Sequence, residues 1–292
     1  QQEVEARPTV GDWVLVDPET GALEEVLERT SLIKRLNPAG EVQLIAANID
    51  TAFIVTSCNE DFNLARLERY LSVIMEAEIQ PVVVLTKIDL TADLDEYLDK
   101  ARSLGGDIPV EAVNALDEDS LAGLSGWCGT GQSIALLGSS GVGKSTLVNT
   151  LCGSPLQATQ TIREDDAKGR HTTTHRSLHK LPQGGVILDS PGMREFQLAE
   201  AEQGVGSVFA DIEELALGCR FNDCAHGGEP GCAVRVAIEE GRLDERRLES
   251  YFKLQREEQY NRESVAERHA RSRQFSKQVK NSLADSYKNR DA

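Results

Sequence analysis

The chain has 292 residues, of which 40% are hydrophobic, and a formal net charge of −17. It contains no apolar run near the ~20 residues that a membrane-spanning helix needs, so we expect no membrane contact. A uniformly acidic surface repels nucleic acid at long range, which argues against nucleic-acid binding over the whole surface.

Residues 1–47 contain two short β-like runs, Trp13–Val16 and Ser31–Lys34, followed by turn residues at Asp17-Pro18 and Asn37–Gly40. Two such runs are too few to close a barrel, so the sequence predicts a small, incomplete β domain. The first residues lack the basic and apolar regions of a signal peptide, and we expect a cytoplasmic protein.

Residues 48–210 alternate between predicted strands and helices. The predicted strands are Ala52–Thr56, Pro81–Leu85, Ile134–Leu137 and Val186–Leu188. After the first strand, apolar residues recur at helical spacing from Leu64 to Met75. This order predicts a mainly parallel sheet covered by helices. Residues 211–292 carry clustered cysteines and then a charged helical stretch, which completes a three-domain division.

A base-reading tetrad, Thr86-Lys87-Ile88-Asp89, follows the second long strand. Ligands bind at the carboxyl edge of such sheets. Asp89 can accept hydrogen bonds from guanine N1–H and its exocyclic amine, whereas adenine would leave the carboxylate unpaired. Lys87 is expected along the purine ring, and Thr86 stands where Asn is usual. Val113–Ala115 either supplies a backbone N–H to guanine O6 or is simply the exit from a strand.

The segment Gly138–Ser145 fits the phosphate-loop pattern G-x-x-x-x-G-K-S between an apolar strand and a helix-compatible stretch. Its backbone N–H groups and the helix end attract phosphate. Lys144 is expected to bridge the β- and γ-phosphates, and the Ser145 hydroxyl to reach Mg²⁺. A coincidental glycine-rich turn is the weaker interpretation.

The two motifs stand in an unusual order. Asp89 precedes Gly138 by 49 residues (138 − 89), whereas an ordinary GTPase has its base-reading motif far downstream of the phosphate loop. The sequence therefore indicates a circularly permuted nucleotide-binding domain.

The run Asp189-Ser190-Pro191-Gly192 follows an apolar strand. Asp189 is expected to contact Mg²⁺ through water, and the Gly192 N–H to sense the γ-phosphate. Met193 follows, where a Ras-like enzyme has a water-orienting glutamine. A thioether cannot position water through a strong hydrogen bond, so hydrolysis requires another residue or a partner.

The segment Gly169–His175 lies where the first switch belongs. One threonine is expected to ligate Mg²⁺ when GTP is bound; Thr173 is favoured and Thr172 is next. His171 either orients the attacking water or is a surface histidine in a loop, and the sequence favours neither alternative.

Three cysteines and a histidine form the pattern C-x₄-C-x-H-x₅-C. They can complete a closed tetrahedral zinc site of structural type. The alternative, buried cysteines beside an unrelated histidine, fits their local density less well. Together with three scattered cysteines expected to pack as small apolar residues, this usage indicates a reducing compartment. The cluster is Cys219, Cys224, His226 and Cys232, and the scattered residues are Cys58, Cys128 and Cys152.

The C-terminal stretch from Arg268 to Ala292 is basic, with seven Lys/Arg against two Asp, or +5 (7 − 2). The sequence favours a solvated terminus over an arm that docks on a polyanion.

The ordered motifs resemble the circularly permuted, ribosome small-subunit-dependent GTPase family (RsgA, also called YjeQ), from Gly11-Asp12-Trp13-Val14 to the helical tail. The resemblance implies an N-terminal OB-type barrel (1–47, incomplete), a central permuted P-loop GTPase domain (48–210) and a C-terminal zinc-binding helical domain (211–292). It further implies GTP hydrolysis stimulated by the small subunit, rRNA contact and a role in late subunit maturation.

Residue by residue, the resemblance assigns the zinc ligands above and hydrolysis to His171. We expect one structural Zn²⁺ per chain, Mg²⁺ with GTP, and a monomer. The nucleotide-binding residues that it implies, with Asp189 and Gly192 added, are Thr86, Lys87, Asp89, Gly138, Ser139, Ser140, Gly141, Val142, Gly143, Lys144, Ser145 and Thr146.

Two other classes remain open: a P-loop kinase, and a zinc-containing RNA-binding scaffold with little turnover.

Asp189 lies only 30 residues before Cys219 (219 − 189). If the chain is a GTPase, switch movement can therefore pass directly to the zinc domain, so that GTP favours ribosome binding and GDP favours release.

Overall fold

The computed structural model of the protein describes residues 4, 6–36, 41–154, 177–189 and 201–261, with the backbone alone at Ser177 and Asp189. Residues 14–47 form two separate antiparallel pairs of strands. The strands are β1 (Val14–Val16), β2 (Leu23–Val26), β3 (Leu32–Leu36) and β4 (Val42–Ala47).

The two pairs differ in burial. The side chains of β1 and most of β2 are exposed, whereas Ile33 and Ile45 of the second pair are completely buried in the main core. In the described part of the chain the two sheets do not join into one barrel. The sequence predicted only β1 and β3, because β2 reads Leu-Glu-Glu-Val and lacks an apolar alternation.

The central sheet has six strands in the order β7-β6-β5-β8-β10-β9. Every neighbouring pair is parallel except β9 with β10, which is antiparallel at the edge. This confirms the predicted, mainly parallel sheet. Its strands are β5 (Thr51–Ser57), β6 (Gln80–Thr86), β7 (Val110–Ala112), β8 (Ser133–Leu137), β9 (Ser177–Lys180) and β10 (Val186–Asp189).

Helices cover both faces of the sheet. The α-helices are α1 (Leu64–Glu76), α2 (Leu94–Arg102), α3 (Lys144–Leu151), α4 (Glu202–Val208), α5 (Ala210–Ala216), α6 (Ala233–Glu239) and α7 (residues 245–261). Two 3₁₀ helices span Ile88–Leu90 and Asp119–Trp127. None of the described helices has the length and apolar character that a membrane span requires.

Side chains alternate along the strands and pack into two hydrophobic cores, one on each face of the sheet. Ile54 lies in the core on the face that also carries α1, and its neighbour Phe53 lies in the core on the α3 face. The first core continues without interruption into the C-terminal helical unit (residues 201–261), where it includes Phe209 and Leu248. The predicted domain boundary after residue 210 therefore crosses one shared hydrophobic core.

Candidate functional site

The site lies at the edge of the sheet where the parallel strands end. The base-reading turn (Thr86–Asp89) begins at the end of β6, and the phosphate loop (Gly138–Ser145) begins at the end of β8. Strand β5 lies between them and pairs with both. Because all three strands run in the same direction, the two motifs leave the sheet side by side despite their inverted order.

A direct hydrogen bond joins the two motifs. The Thr86 hydroxyl lies 2.6 Å from the carbonyl oxygen of Val142 in the phosphate loop and 3.1 Å from that of Thr56 at the end of β5. A hydroxyl has a single proton to donate, and the shorter contact identifies Val142 as its main acceptor. Thr86 is completely buried. Its side chain therefore joins the base-reading turn to the phosphate loop in the buried interior of the site.

The base-reading turn presents Asp89 to solvent. Lys87 has a left-handed backbone (φ 58°), and its carbonyl accepts a hydrogen bond from Leu90 N–H at 3.0 Å. This sharp turn ends the strand and starts the 3₁₀ helix that carries Asp89. The Asp89 side chain is exposed and Lys87 is half-buried, so both remain accessible to a ligand.

Two glycines of the phosphate loop are required by its path. Gly138 has φ +145°, and a Cβ there would lie 2.2 Å from the carbonyl oxygen of Val55. Gly143 has φ +96° and is the N-cap of α3, a left-handed conformation that other residues adopt only with strain. The loop can therefore curl tightly against β5 and open directly into the helix.

The Lys144 side chain binds to the backbone of the phosphate loop. Its ammonium donates hydrogen bonds to the carbonyl oxygens of Gly138, at 2.7 Å, and Ser139. The residue is buried, whereas Ser140 and Gly141 at the tip of the loop are exposed. A fixed positive charge thus lies beneath an open loop at the amino end of α3, the arrangement that attracts phosphate.

The segment after β7 completes the base side of the site. Val113 N–H donates to Leu85 O, and Asn114 N–H donates to the Ser120 hydroxyl, both at 2.8 Å. Ala115 N–H takes part in no hydrogen bond within the described residues. Of the three residues predicted as candidates for contacting guanine O6, Ala115 is therefore the one whose backbone N–H is available to a ligand in the described structure.

Thr150 also supports the base side of the site, and the sequence did not predict this role. Its hydroxyl lies 2.6 Å from the carbonyl oxygen of Ala115 and so ties α3 to the segment after β7. No local pattern identifies Thr150, because the contact joins residues 35 positions apart.

The magnesium side is described only in part. Asp189 is the last residue of β10, which pairs in parallel with β8 up to Leu188 opposite Ala135, so its backbone lies near the sheet edge from which the phosphate loop leaves. The predicted roles of His171, Thr172, Thr173 and Gly192 lie outside the described residues, as do Met193 and the basic stretch from Arg268. They stay predictions.

The four predicted metal ligands converge. Their ligand atoms all lie within 4.8 Å of one another, in the cluster formed by Cys219, Cys224, His226 and Cys232. Cys219 Sγ is 3.9 Å from Cys232 Sγ, and His226 Nδ1 is 3.6 Å and 3.4 Å from these two sulfurs. Tetrahedral zinc, with Zn–S of about 2.3 Å and Zn–N of about 2.0 Å, separates its ligand atoms by roughly 3.5–3.8 Å. The cluster therefore fits zinc.

The surrounding chain holds these ligands in place. The Glu229 carboxylate accepts hydrogen bonds from the N–H groups of Ala225, Gly227 and Gly228 at 3.0, 2.8 and 3.1 Å, which closes the turn around His226. Arg235 Nε donates to the carbonyl oxygen of His226 at 2.7 Å. These contacts hold the backbone of the turn that carries His226.

The remaining cysteines are packed away from this cluster. Burial raises the pKa of Cys58 to about 11. Burial, and to a lesser extent the nearby Cys152, raises the pKa of Cys128 to about 11.

A cavity of about 560 Å³ lies between the β2–β3 connection and the end of α1, and it is lined by none of the motif residues.

Comparison with known proteins agrees with this arrangement. A family model described as RsgA GTPase matches residues 26–199. A model described as ABC transporter matches residues 121–285, a range that includes the phosphate loop but excludes the base-reading turn.

Two curated relatives cover most of the chain. "Small ribosomal subunit biogenesis GTPase RsgA 2" of Vibrio parahaemolyticus is 52% identical over 96% of this chain and 78% of its own length. "Small ribosomal subunit biogenesis GTPase RsgA" of Mesorhizobium japonicum is 50% identical over 86% of this chain and 74% of its own length.

Two solved structures share the fold. YjeQ from Thermotoga maritima superimposes with a TM-score of 0.62 at 27% identity, over 88% of this chain and 86% of the other. YloQ, described as a circularly permuted GTPase, gives a TM-score of 0.61 at 30% identity, over 87% of this chain and 81% of the other. The permuted order of motifs, the shared sheet edge and these matches lead to one conclusion: the chain belongs to the RsgA GTPase family.

Proposed function

We propose that the protein hydrolyses GTP to GDP and phosphate on the small ribosomal subunit and acts in late maturation of that subunit. The observation that carries the proposal is the Thr86–Val142 hydrogen bond, which joins the base-reading turn to the phosphate loop in one pocket. The names of the relatives, which describe small-subunit biogenesis GTPases, support the choice of partner.

Guanine is recognised from two sides in this proposal. The exposed Asp89 carboxylate accepts hydrogen bonds from N1–H and the exocyclic amine, and Ala115 N–H donates to O6. Adenine has an amino group in place of O6, no proton on N1 and no amine at position 2. It would therefore leave the Asp89 carboxylate without partners. Lys87 lies at the turn where its aliphatic stem can cover the purine ring.

The phosphates lie over the amino end of α3. Lys144 is poised to exchange its carbonyl partners for the β- and γ-phosphate oxygens, and the backbone N–H groups from Gly138 to Thr146 line the loop. Ser145 and Thr173 would hold Mg²⁺ directly and Asp189 through water; the ion would neutralise charge on the phosphates. His171 orients the attacking water, and Gly192 N–H meets the γ-phosphate.

The zinc cluster has a structural role in this proposal. Three thiolates and one imidazole provide four protein ligands, which leaves no open position for a substrate on tetrahedral zinc. One zinc ion per chain would therefore stabilise residues 219–235.

The protein would contact rRNA as a cytoplasmic monomer. Of the three units 1–47, 48–210 and 211–292, the second would carry nucleotide turnover and the third metal-stabilised docking.

Phosphate release tests the proposal directly. The protein is incubated with GTP or ATP and Mg²⁺, with and without purified small ribosomal subunits. We expect preferential turnover of GTP and at least a ten-fold acceleration by the subunits. A phosphorylated acceptor in place of free phosphate would identify a kinase, and tight GTP binding without subunit-dependent turnover would identify a scaffold.

A further inference from the structure

Helix α1 contacts the phosphate loop with its first turn and the C-terminal helical unit with the rest of its length. We propose that Arg66, on this first turn, is a positioning residue for the phosphate loop, and that α1 couples the loop to α7. The inference rests on the proposed function, and it adds a route that does not pass through the two switches.

At the phosphate loop, Arg66 and Lys144 meet on the same residue. Arg66 Nη1 donates to the hydroxyl of Ser139, while Lys144 Nζ donates to the carbonyl oxygen of Ser139. Asp61 lies 3.5 Å from the same guanidinium nitrogen and holds it toward the loop. The second residue of the phosphate loop is therefore fixed by one cation from α3 and another from α1.

The start of α1 is itself well defined. Asn63 is its N-cap and accepts a hydrogen bond from Arg66 N–H at 2.9 Å through its side chain. The backbone of Arg66 is therefore anchored at the helix end, so the position of its guanidinium follows the position of the helix.

One turn further along, α1 carries a buried charge. Glu68 is completely buried and accepts hydrogen bonds from Arg246, Arg247 and Ser250 of α7 at 3.1, 3.3 and 2.5 Å. A buried carboxylate is stable only while such partners remain in place, because its charge is costly to desolvate. The next residue, Arg69, makes a two-pronged ion pair with Glu257 of α7.

The far end of α1 is held against α4. A Cβ on Gly204 would lie 1.9 Å from the carbonyl oxygen of Ser72, so the two helix backbones are in close contact. Gly204 N–H also donates to the Glu76 carboxylate at 2.7 Å. A helix of 13 residues is a stiff rod of about 20 Å, so we expect a displacement of α1 to be passed to the C-terminal helical unit.

The consequence concerns the state of the loop. When phosphates displace Lys144 from its carbonyl partners, Ser139 is left with Arg66 as its neighbouring cation. Any shift of Ser139 is then transmitted to α1 and from there to α7, the helix that leads into the basic C-terminal stretch. The coupling is measured between these two ends, the phosphate loop and α7.

The test combines Arg66→Ala, Arg66→Lys, Glu257→Gln and the double variant Arg66→Ala/Glu257→Gln. The matched control is Arg102→Ala, which removes an exposed arginine that lies 4.0 Å from Asp99 on α2. Steady-state GTP hydrolysis gives KM and kcat, and a fluorescent GTP analogue gives the affinity. Hydrogen exchange over residues 245–261 is compared with and without the analogue.

For Arg66→Ala we expect about a five-fold increase in KM for GTP with kcat changed less than two-fold, because one charged hydrogen bond to the loop is lost. Arg66→Lys recovers at least half of this loss. In the parent protein the analogue slows exchange in α7, and Arg66→Ala abolishes that slowing. The affinity changes of Arg66→Ala and Glu257→Gln are not additive in the double variant.

The inference is overturned if Arg66→Ala behaves like Arg102→Ala in KM and in exchange, or if the two changes simply add. If Arg66→Ala fails to fold, as judged by circular dichroism, Arg66→Lys and Glu257→Gln decide by the same two measurements. If the parent protein does not bind GTP, the proposed function fails and the inference with it. If the parent binds and turns over GTP normally, only the inference is at stake.

Discussion

The hydroxyl of Thr86 donates a 2.6 Å hydrogen bond to the carbonyl oxygen of Val142, across 56 positions of sequence. Circular permutation changes the order of the motifs but leaves the strands that carry them parallel and adjacent to β5. The pocket therefore depends on contacts between strand ends, and Thr86 supplies the contact between its two halves.

Replacing this hydroxyl separates its structural role from its size. Thr86→Val is nearly isosteric but leaves the buried Val142 carbonyl without its donor, which costs about 1–3 kcal/mol. We expect lower stability in urea unfolding and about ten-fold weaker GTP binding. Thr86→Ser, which keeps the donor, is the control. Equal GTP affinity in Thr86→Val and the parent protein would show that this hydrogen bond does not shape the pocket.

Base selection is tested at Asp89. In Asp89→Asn the side chain gains an N–H donor, which matches the carbonyl at position 2 of xanthine in place of the amine of guanine. We expect GTP affinity to fall roughly 100-fold, about 2.7 kcal/mol, and XTP affinity to rise. Competition with a fluorescent GTP analogue measures both. Unchanged GTP binding in this variant, or equal competition by ATP, contradicts the assignment of Asp89.

The metal cluster predicts both a content and a stability. Purified protein should contain about one zinc per chain, and Cys224→Ser should lose most of it, because a hydroxyl replaces a thiolate ligand. Elemental analysis measures the zinc, and thermal unfolding should show a lower Tm for this variant and for chelator-treated protein. Cys152→Ser is the control and should retain zinc. Full stability of zinc-free parent protein would argue against a structural metal.

Buried Cys58 predicts a pH dependence of stability. Burial raises the pKa of its thiol from 9.0 to about 11 in the folded state. Between these values the unfolded chain releases a proton that the folded chain retains, so this contribution to stability is complete below pH 9 and is lost as pH rises toward 11. The difference in unfolding free energy between the parent protein and Cys58→Ala should therefore shrink between pH 8.5 and 10.5, as measured with urea. A constant difference would show that the thiol titrates normally.

The sequence predicted the parts of this molecule whose signal is local. Strand β5 is centred on the apolar run from Ala52 to Val55, and α1 follows from apolar residues at helical spacing; both match the structure closely. The metal ligands lie within fourteen residues, so their spacing was enough to group them. The family assignment, which depended on the order of such local motifs, is also confirmed.

The parts that the sequence did not predict depend on tertiary placement. The exposed strand β2 has no apolar alternation and exists through its backbone pairing with β1. Glu68 reads as a solvent-exposed charge on an amphipathic helix, yet it is buried because α7, nearly 180 residues later, covers it. The engagement of Thr86 with Val142 follows from the same cause, since neither residue indicates the other locally.

The buried charge at Glu68 gives a final prediction about stability. Arg247 contacts Glu68, makes a two-pronged ion pair with Asp211 and donates to the carbonyl oxygen of Val208 at 2.7 Å. Arg247→Ala therefore leaves a buried carboxylate short of a partner, and we expect a loss of about 3–5 kcal/mol in unfolding free energy.

Arg242→Ala is the matched control, because Arg242 pairs with Glu240 at the surface and such a pair contributes less than about 1 kcal/mol. Urea unfolding of both variants, followed by circular dichroism, compares them directly. Since the Glu68 carboxylate also needs its charge neutralised, Arg247→Ala/Glu68→Gln should be more stable than Arg247→Ala alone. If the two arginine variants lose equal stability, the contact between α1 and α7 is held by apolar packing and the charges add nothing.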